Sequence, residues 1–360
     1  MPIRTAHELR KHLALAMRVE LSTIPPYLYA MYSIENEGSE AARLLRSVVT
    51  EEMLHLALAA NLLVAVGGDP RFLDLDLRPT YPGRLAHHRP ELPLHLAPAS
   101  MDVIRSTFLV IEQPEPVGAA AEADGYHTIG QFYSAIEAAI ERLAADGPLF
   151  ANPRPECQLG DPAFYGPVEF DAESSGGLVL VHDLSSAREA LEIIVHQGEG
   201  LAEHRWADPA HKELTHYAKL LRIADGASPI GPVRPARLDP RSVDYPPGVR
   251  PVADVFNAVY RALFHILDRL YQPVAAKVEL VDVLYTLMAA VLGPVARYLM
   301  TLTLDDGTVA GPTFEPYDLG VDPPVTLARL AARVRASHPP LSAPMAQLLD
   351  ASSAGWSSVA

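Results

Sequence analysis

Four helical segments of this chain carry acidic residues on their oily sides, and that limits the folds open to it. In "MRVELSTIPPYLYAMYSIENEG", residues 17–38, Glu20 lies on the stripe of Leu13, Ala16, Ile24 and Tyr27. Positions three and four apart share a helix face, so this is the side a bundle buries. Glu52 and His55, in residues 39–67, fall in step with Val48, Ala59 and Leu62. Within "TIGQFYSAIEAAIERLAA", residues 128–145, Glu137 falls in step with Tyr133, Ile140 and Ala144. In a fourth helix that starts near Ser185, Glu199 continues the line of Leu191 and Val195, and His216 is in register with Leu220 and Ile223.

One unpaired buried carboxylate costs several kcal/mol, so about four of them in one core require compensating positive charge. Two divalent metal ions would supply it. Dinuclear bundles take one Glu from each of two helices and a Glu-x-x-His from each of the other two. "EEMLH" gives one such motif through Glu52 and His55, with Glu20 and Glu137 as the single carboxylates. On the fourth helix "KELTHY" offers Glu213 and His216 at the expected spacing, while "HQGEG" offers Glu199. Glu199 with His216 is the favoured pair, and Glu213 is an alternative or additional ligand. Taken singly, Glu20 or Glu137 reads as a helix-edge residue whose head reaches water; the joint occurrence outweighs that. Glu40 and Glu51 are expected to be solvated, and His87, His88 and His95 to be surface or loop residues rather than ligands. Oxygen and imidazole donors without thiolate suit iron, with manganese as the alternative, better than structural zinc.

The rest of the chain predicts an all-α protein. The short "NEGS" connection makes the first two helices antiparallel neighbours, and "GGDP" stops the second. A long crossover, residues 68–127, holds one short helical piece near 101–111. Thr128 is the expected N-cap of the third helix. Residues 147–183 form a turn-rich insertion ending in a strand at "GLVLVHD", and the fourth helix is interrupted at "GEGLAEHRWADPAH". The expected organisation is a bundle over 1–227, then 228–320 as a proline-rich linker with two helices at about 252–271 and 278–302. A proline-rich tail with one amphipathic piece, 321–360, closes the chain.

Composition removes other classes. With 49% hydrophobic and 20% charged residues the chain can bury a substantial core, and its net charge of -15 opposes nucleic acid binding. Cys157 stands alone, so no disulfide framework or cysteine-built cluster forms within one chain, which fits a reducing cytoplasm. The N-terminal stretch has no signal-peptide pattern. The apolar run at 280–300 is interrupted by Asp282, Pro294 and Arg297 and is expected to be a core helix, not a membrane span.

"VELSTIPPYLYAMYSI", "VVTEEMLHLALAANLLVAVGGDP", "TIGQFYSAIEAAI", "IIVHQGEG" with "ELTHY", and a late "AGPTFE" together resemble the ferritin-like domain of the iminophenyl-pyruvate dimer synthase family. The resemblance runs from about residue 6 to 316. It implies a ferritin-like bundle with metal carried by Glu20, Glu52, His55, Glu137, Glu199 and His216, with Glu213 as a further candidate. Members of that family couple two amino-acid-derived imines in indole pathways of the violacein and rebeccamycin type.

The expected function is therefore a non-haem di-iron oxidase or oxygenase of secondary metabolism, using dioxygen on a small amino-acid-derived or aromatic metabolite. Glu20, Glu52 and Glu137 are its expected catalytic carboxylates. Tyr27, Tyr133 and Tyr217 stand near the ligands as candidate donors to them. Oxidative coupling of two imines and a non-catalytic iron-binding bundle are the alternatives; the assembly allowed for is a homodimer.

Overall fold

A computed structural model describes residues 3–74, 77–116, 118–160, 177–198 and 214–355. The first helix, α1 (Ala6–Ser33), opens with a capping box in which Thr5 and Glu8 exchange hydrogen bonds. It runs through Pro25 and Pro26. Proline has no N–H, so Pro26 cannot serve the Ser22 carbonyl one turn back. The Tyr81 hydroxyl, from the crossover, donates to that carbonyl instead at 2.7 Å.

Ser39 caps α2 (Glu40–Ala65). Its end is a Schellman motif: Gly67 has φ +80°, Gly67 N–H donates to Val64 O, and Gly68 N–H donates to Leu63 O. In the crossover, Gly83–Arg84 (β1) and Pro93–Leu94 (β2) form a short antiparallel ladder. Met101–Val103, Ile104–Phe108 and Leu109–Ile111 follow as one helix, α3, whose middle section has π geometry. Thr128 caps α4 (Ile129–Asp146) as the sequence predicts. The bundle is completed by α5 (Leu184–Gly198), and Thr215 caps α6 (His216–Ala224).

"GLVLVHD" is not a strand. Side-chain amides take the place of a partner strand: Asn61 donates to Leu159 O and Val179 O, and Gln158 exchanges two hydrogen bonds with the backbone of Val181. The backbone groups of Val179 and Val181 that a partner strand would meet are met by side chains instead. The interruption after α5 lies outside the described residues, as do Glu199 and Glu213.

The linker lies against α1, with Arg234 N–H donating to Ser33 O and Glu35 N–H to Pro232 O. Then come α7 (Arg250–Leu270) and Lys277–Leu299, a continuous helix α8 with π geometry at Thr286–Leu292. Both α2 and α8 are long and apolar enough to cross a membrane; 83% of the most apolar window of α2 is buried inside the protein, against 44% for α8. The last 50 residues hold two helices rather than one, α9 (Pro323–Ser337) and α10 (Ser342–Gly355), which pack together. Met345, Leu348 and Ala351 are buried, so α10 is part of the packed core. The "AGPTFE" segment closes on α1 and α7 through Gly311 against Tyr29 and Thr313 against Asn257.

Candidate metal centre

Glu20 on α1 and Glu52 and His55 on α2 are buried side by side in the bundle. The Thr215 cap sets His216 as the first residue of α6, wholly buried, with its ring 5.2 Å from that of His55. Glu112, at the C-terminal end of α3, completes the group. His216 Nδ1 is 3.0 Å from Glu52 Oε1 and 3.4 Å from Glu112 Oε2. His55 Nδ1 is 3.6 Å from Glu20 Oε2 and 3.9 Å from Glu52 Oε1.

The three carboxylates share one design. Tyr133 donates to Glu20 Oε1 at 2.5 Å, Tyr27 donates to Glu112 Oε1 at 2.5 Å, and Thr23 donates to Glu52 Oε2. In each case the other oxygen is the one turned toward the histidines. Burial, reinforced by the carboxylates, holds both phenols well above their ordinary pKa, so they stay protonated and donate.

The histidines are oriented from behind. His55 Nε2 lies 3.0 Å from Gln197 Oε1, which fixes the proton there and leaves the Nδ1 lone pair for the centre. Behind His216, Glu51 Oε2 is 2.8 Å from Nε2, and Lys219, fully buried, pairs with the other oxygen of Glu51. Burial alone would raise the Glu51 carboxyl, but His216 and Lys219 bring it down to about 2. Glu52 has His216 but no lysine beside it: burial and the neighbouring Glu112 outweigh the histidine and push it up to about 7. Burial pulls His216 down, but Glu112, Glu51 and Glu52 outweigh it and raise it well above its ordinary value.

These residues fit a metal. Neither ring nitrogen of His216 has a hydrogen bond of good geometry, although carboxylate oxygens lie close to both. Glu52, His55 and His216 each offer a ligand atom within 4.8 Å of the others. Acidic oxygens crowded around aimed imidazole nitrogens, in a space with little room for water, leave a role for a cation of oxygen and nitrogen preference.

Of the sequence-predicted ligands, the structure brings together Glu20, Glu52, His55 and His216. It does not bring in Glu137, which is exposed on α4. The buried arc of that helix runs through Phe132, Tyr133, Ile136, Ala139 and Ile140, and Glu137 stands just past its edge. Tyr133, on the arc, reaches the centre in its place through Glu20. Glu112 is not among the sequence-predicted ligands; its only signal is a short run in which Ile104, Phe108 and Glu112 recur at helical spacing. Glu51, read as solvated, is fully buried because α6 covers that side of α2. His88, expected to be a surface or loop residue, lies in the crossover loop and is buried there, its Nδ1 2.7 Å from Pro90 O. Tyr217 is half-buried on α6.

A bundle holding buried carboxylates and histidines at one level defines a class, and residues 13–225 match the ferritin-like family; the chain belongs to it. Among curated proteins it is similar to dichlorochromopyrrolate synthase of Lentzea aerocolonigenes, 25% identical over 94% of this chain. It is also similar to 2-imino-3-(indol-3-yl)propanoate dimerase of Chromobacterium violaceum, 26% identical over 86% of this chain. The chain spans only 39% and 34% of the lengths of those two relatives. A solved ferritin-like protein from Caulobacter vibrioides superposes with TM-score 0.64 at 24% identity, covering 86% of this chain and 99% of that one. That likeness carries the fold and nothing further.

Proposed function

We propose that this protein is a dinuclear metal-dependent oxidoreductase, with iron as its metal, acting on a small amino-acid-derived aromatic metabolite. The observation that carries the proposal is the shared design of Glu20, Glu52 and Glu112, each held by a hydroxyl through one oxygen and turned to His55 or His216 through the other. These five residues would hold the metal, with Glu199 and Glu213 as further ligands. When bound, iron would supply the electrons that reduce dioxygen.

The chain's own residues do the rest. Tyr27, Tyr133 and Thr23 keep one oxygen of each carboxylate occupied, so the other is presented without rotamer search. Gln197 and Glu51 hold the imidazoles from behind. Ile129, Ile194 and Val195 border the centre on the α4 and α5 side and restrict water there.

Within this reading, the names of the two curated relatives favour oxidative coupling of two imines over oxygen insertion. The test is oxygen uptake by the ferrous-loaded protein against a panel of aromatic amino acids and their freshly generated imines. Uptake that depends on an imine, with a dimeric product by mass, supports coupling; an oxygenated monomer supports an oxygenase. No substrate-dependent uptake by metal-loaded protein would overturn the enzyme reading and leave an iron-binding bundle.

A further inference from the structure

Between the first turn of α7, the segment before it and α9 lies an open cleft of about 400 Å³, lined by Tyr245, Pro247, Arg250, Pro251, Asp254 and Arg333. That is within the size range of small-molecule sites. It shares no lining residue with the space at the metal centre. The Tyr245 hydroxyl is spent, since it donates to Gly311 O and accepts from Gly311 N–H, both at 2.8 Å. Its ring, with Pro247 and Pro251, makes the apolar part of the lining.

The charged part does not close on itself. Arg250 and Asp254 stand one turn apart on the same face of α7, a spacing at which opposite charges can meet, and Arg333 belongs to α9, which packs on α7. Among the described residues, none of these three side chains has an ion pair or a hydrogen bond. Asp254 is nonetheless half-buried: burial pushes its carboxyl above the ordinary value, and Arg250 and Arg333 pull it back from beyond ion-pair reach. Glu315, the other acid that acts on it, already accepts from Ser242 N–H. The surroundings also favour an anion, because α9 carries Arg329, Arg333 and Arg335 and no acid in a chain of net charge -15.

Two guanidiniums and one half-buried carboxylate thus border one space without pairing. An anion alone would meet the repulsion of Asp254, and a cation alone that of two arginines. A molecule with a carboxylate and an ammonium on one carbon answers all three, and guanidinium and carboxylate are strong partners for those groups. We propose that this cleft binds a free α-amino acid, its carboxylate between Arg250 and Arg333, its ammonium on Asp254 and an apolar side chain against Pro247 and Pro251. The site is separate from the metal centre and does not depend on the reaction proposed for it.

The test is calorimetric titration of the full-length protein at low ionic strength with L-phenylalanine, with 3-phenylpropanoate, which lacks the ammonium, and with L-phenylalaninamide, which lacks the carboxylate. Phenylalanine is expected to bind about tenfold more tightly than either, the worth of one charge-assisted hydrogen bond. Arg333→Gln should weaken phenylalanine by about as much and leave the amide unchanged. Asp254→Asn should bring phenylalanine and phenylpropanoate to near-equal affinity. Both positions reach the surface, so the circular dichroism of the helices should not change. No phenylalanine binding at millimolar concentration, equal affinity for phenylalanine and phenylpropanoate in the unaltered protein, or phenylalanine binding unmoved by both substitutions would overturn the proposal.

Discussion

Glu51 and Lys219 form an ion pair with no exposed surface, and such a pair is more telling when broken than when present. Removing one partner of a buried pair leaves the other charge uncompensated, at a cost of about 3–5 kcal/mol. Lys219→Met leaves Glu51 with His216 but without its lysine, and is expected to lose up to about that much stability by urea denaturation at neutral pH. Glu51→Leu with Lys219→Met should lose clearly less, and an equal loss would contradict a paired charge. The sign of the pH effect follows from the depressed carboxyl. Its stabilising contribution is complete above the ordinary value of 4.5 and is lost as pH falls toward about 2. The gap between the unaltered protein and Lys219→Met should accordingly narrow across that window, and a gap constant from neutral pH down to 2 would argue against it. Neither residue was legible as buried from sequence. Glu51 lies one step off the stripe of Glu52 and His55, and only the packing of α6 on α2 turns that outer position into an inner one.

At the level of the elements, α1 continues through two prolines, and the Ser22 carbonyl that Pro26 leaves without its helical donor finds one in Tyr81. Tyr81→Phe should cost about 1–3 kcal/mol, the penalty of a buried carbonyl left without a partner. In a Pro26→Ala background the helix regains its own donor, and the same substitution should cost much less. Equal costs in the two backgrounds, measured by urea denaturation, would separate the tyrosine from the proline. Farther along α1, Gly311 meets Tyr29 so closely that any Cβ would collide with the ring. Gly311→Ala should destabilise by about 1–3 kcal/mol, seen as a lower urea midpoint, and no change would mean that the late segment is not clamped to the bundle. The helices themselves were legible because their caps and periodicity are local: Thr128 and the glycines after α2 mark ends that hydrogen bonding alone dictates. The false strand was not, since the Asn61 and Gln158 amides that satisfy "GLVLVHD" come from elsewhere in the chain.

Across the whole molecule, α7 to α10 share one continuous hydrophobic core with the bundle, which gives α1 and α2 two occupied faces. One carries the metal ligands and the other packs toward α7 and α8. That arrangement explains how much of the centre could be read in advance. Glu20, Glu52, His55 and His216 lie on helices whose inward faces are set by their own apolar stripes. Glu112 lies at the end of a short helix in a proline-rich crossover, where no long stripe announces an inward face, whereas Glu137 lies on a long helix beside a strong apolar stripe. The central claim is thus a choice between these two residues. It is tested by counting iron in protein purified under iron supplementation, with Glu112→Ala and Glu137→Ala beside the unaltered chain. The account predicts about two irons per chain in the unaltered protein and in Glu137→Ala, and about one or fewer in Glu112→Ala with its helical content intact. Iron that is retained in Glu112→Ala and lost in Glu137→Ala would contradict it, as would an unaltered protein that binds none.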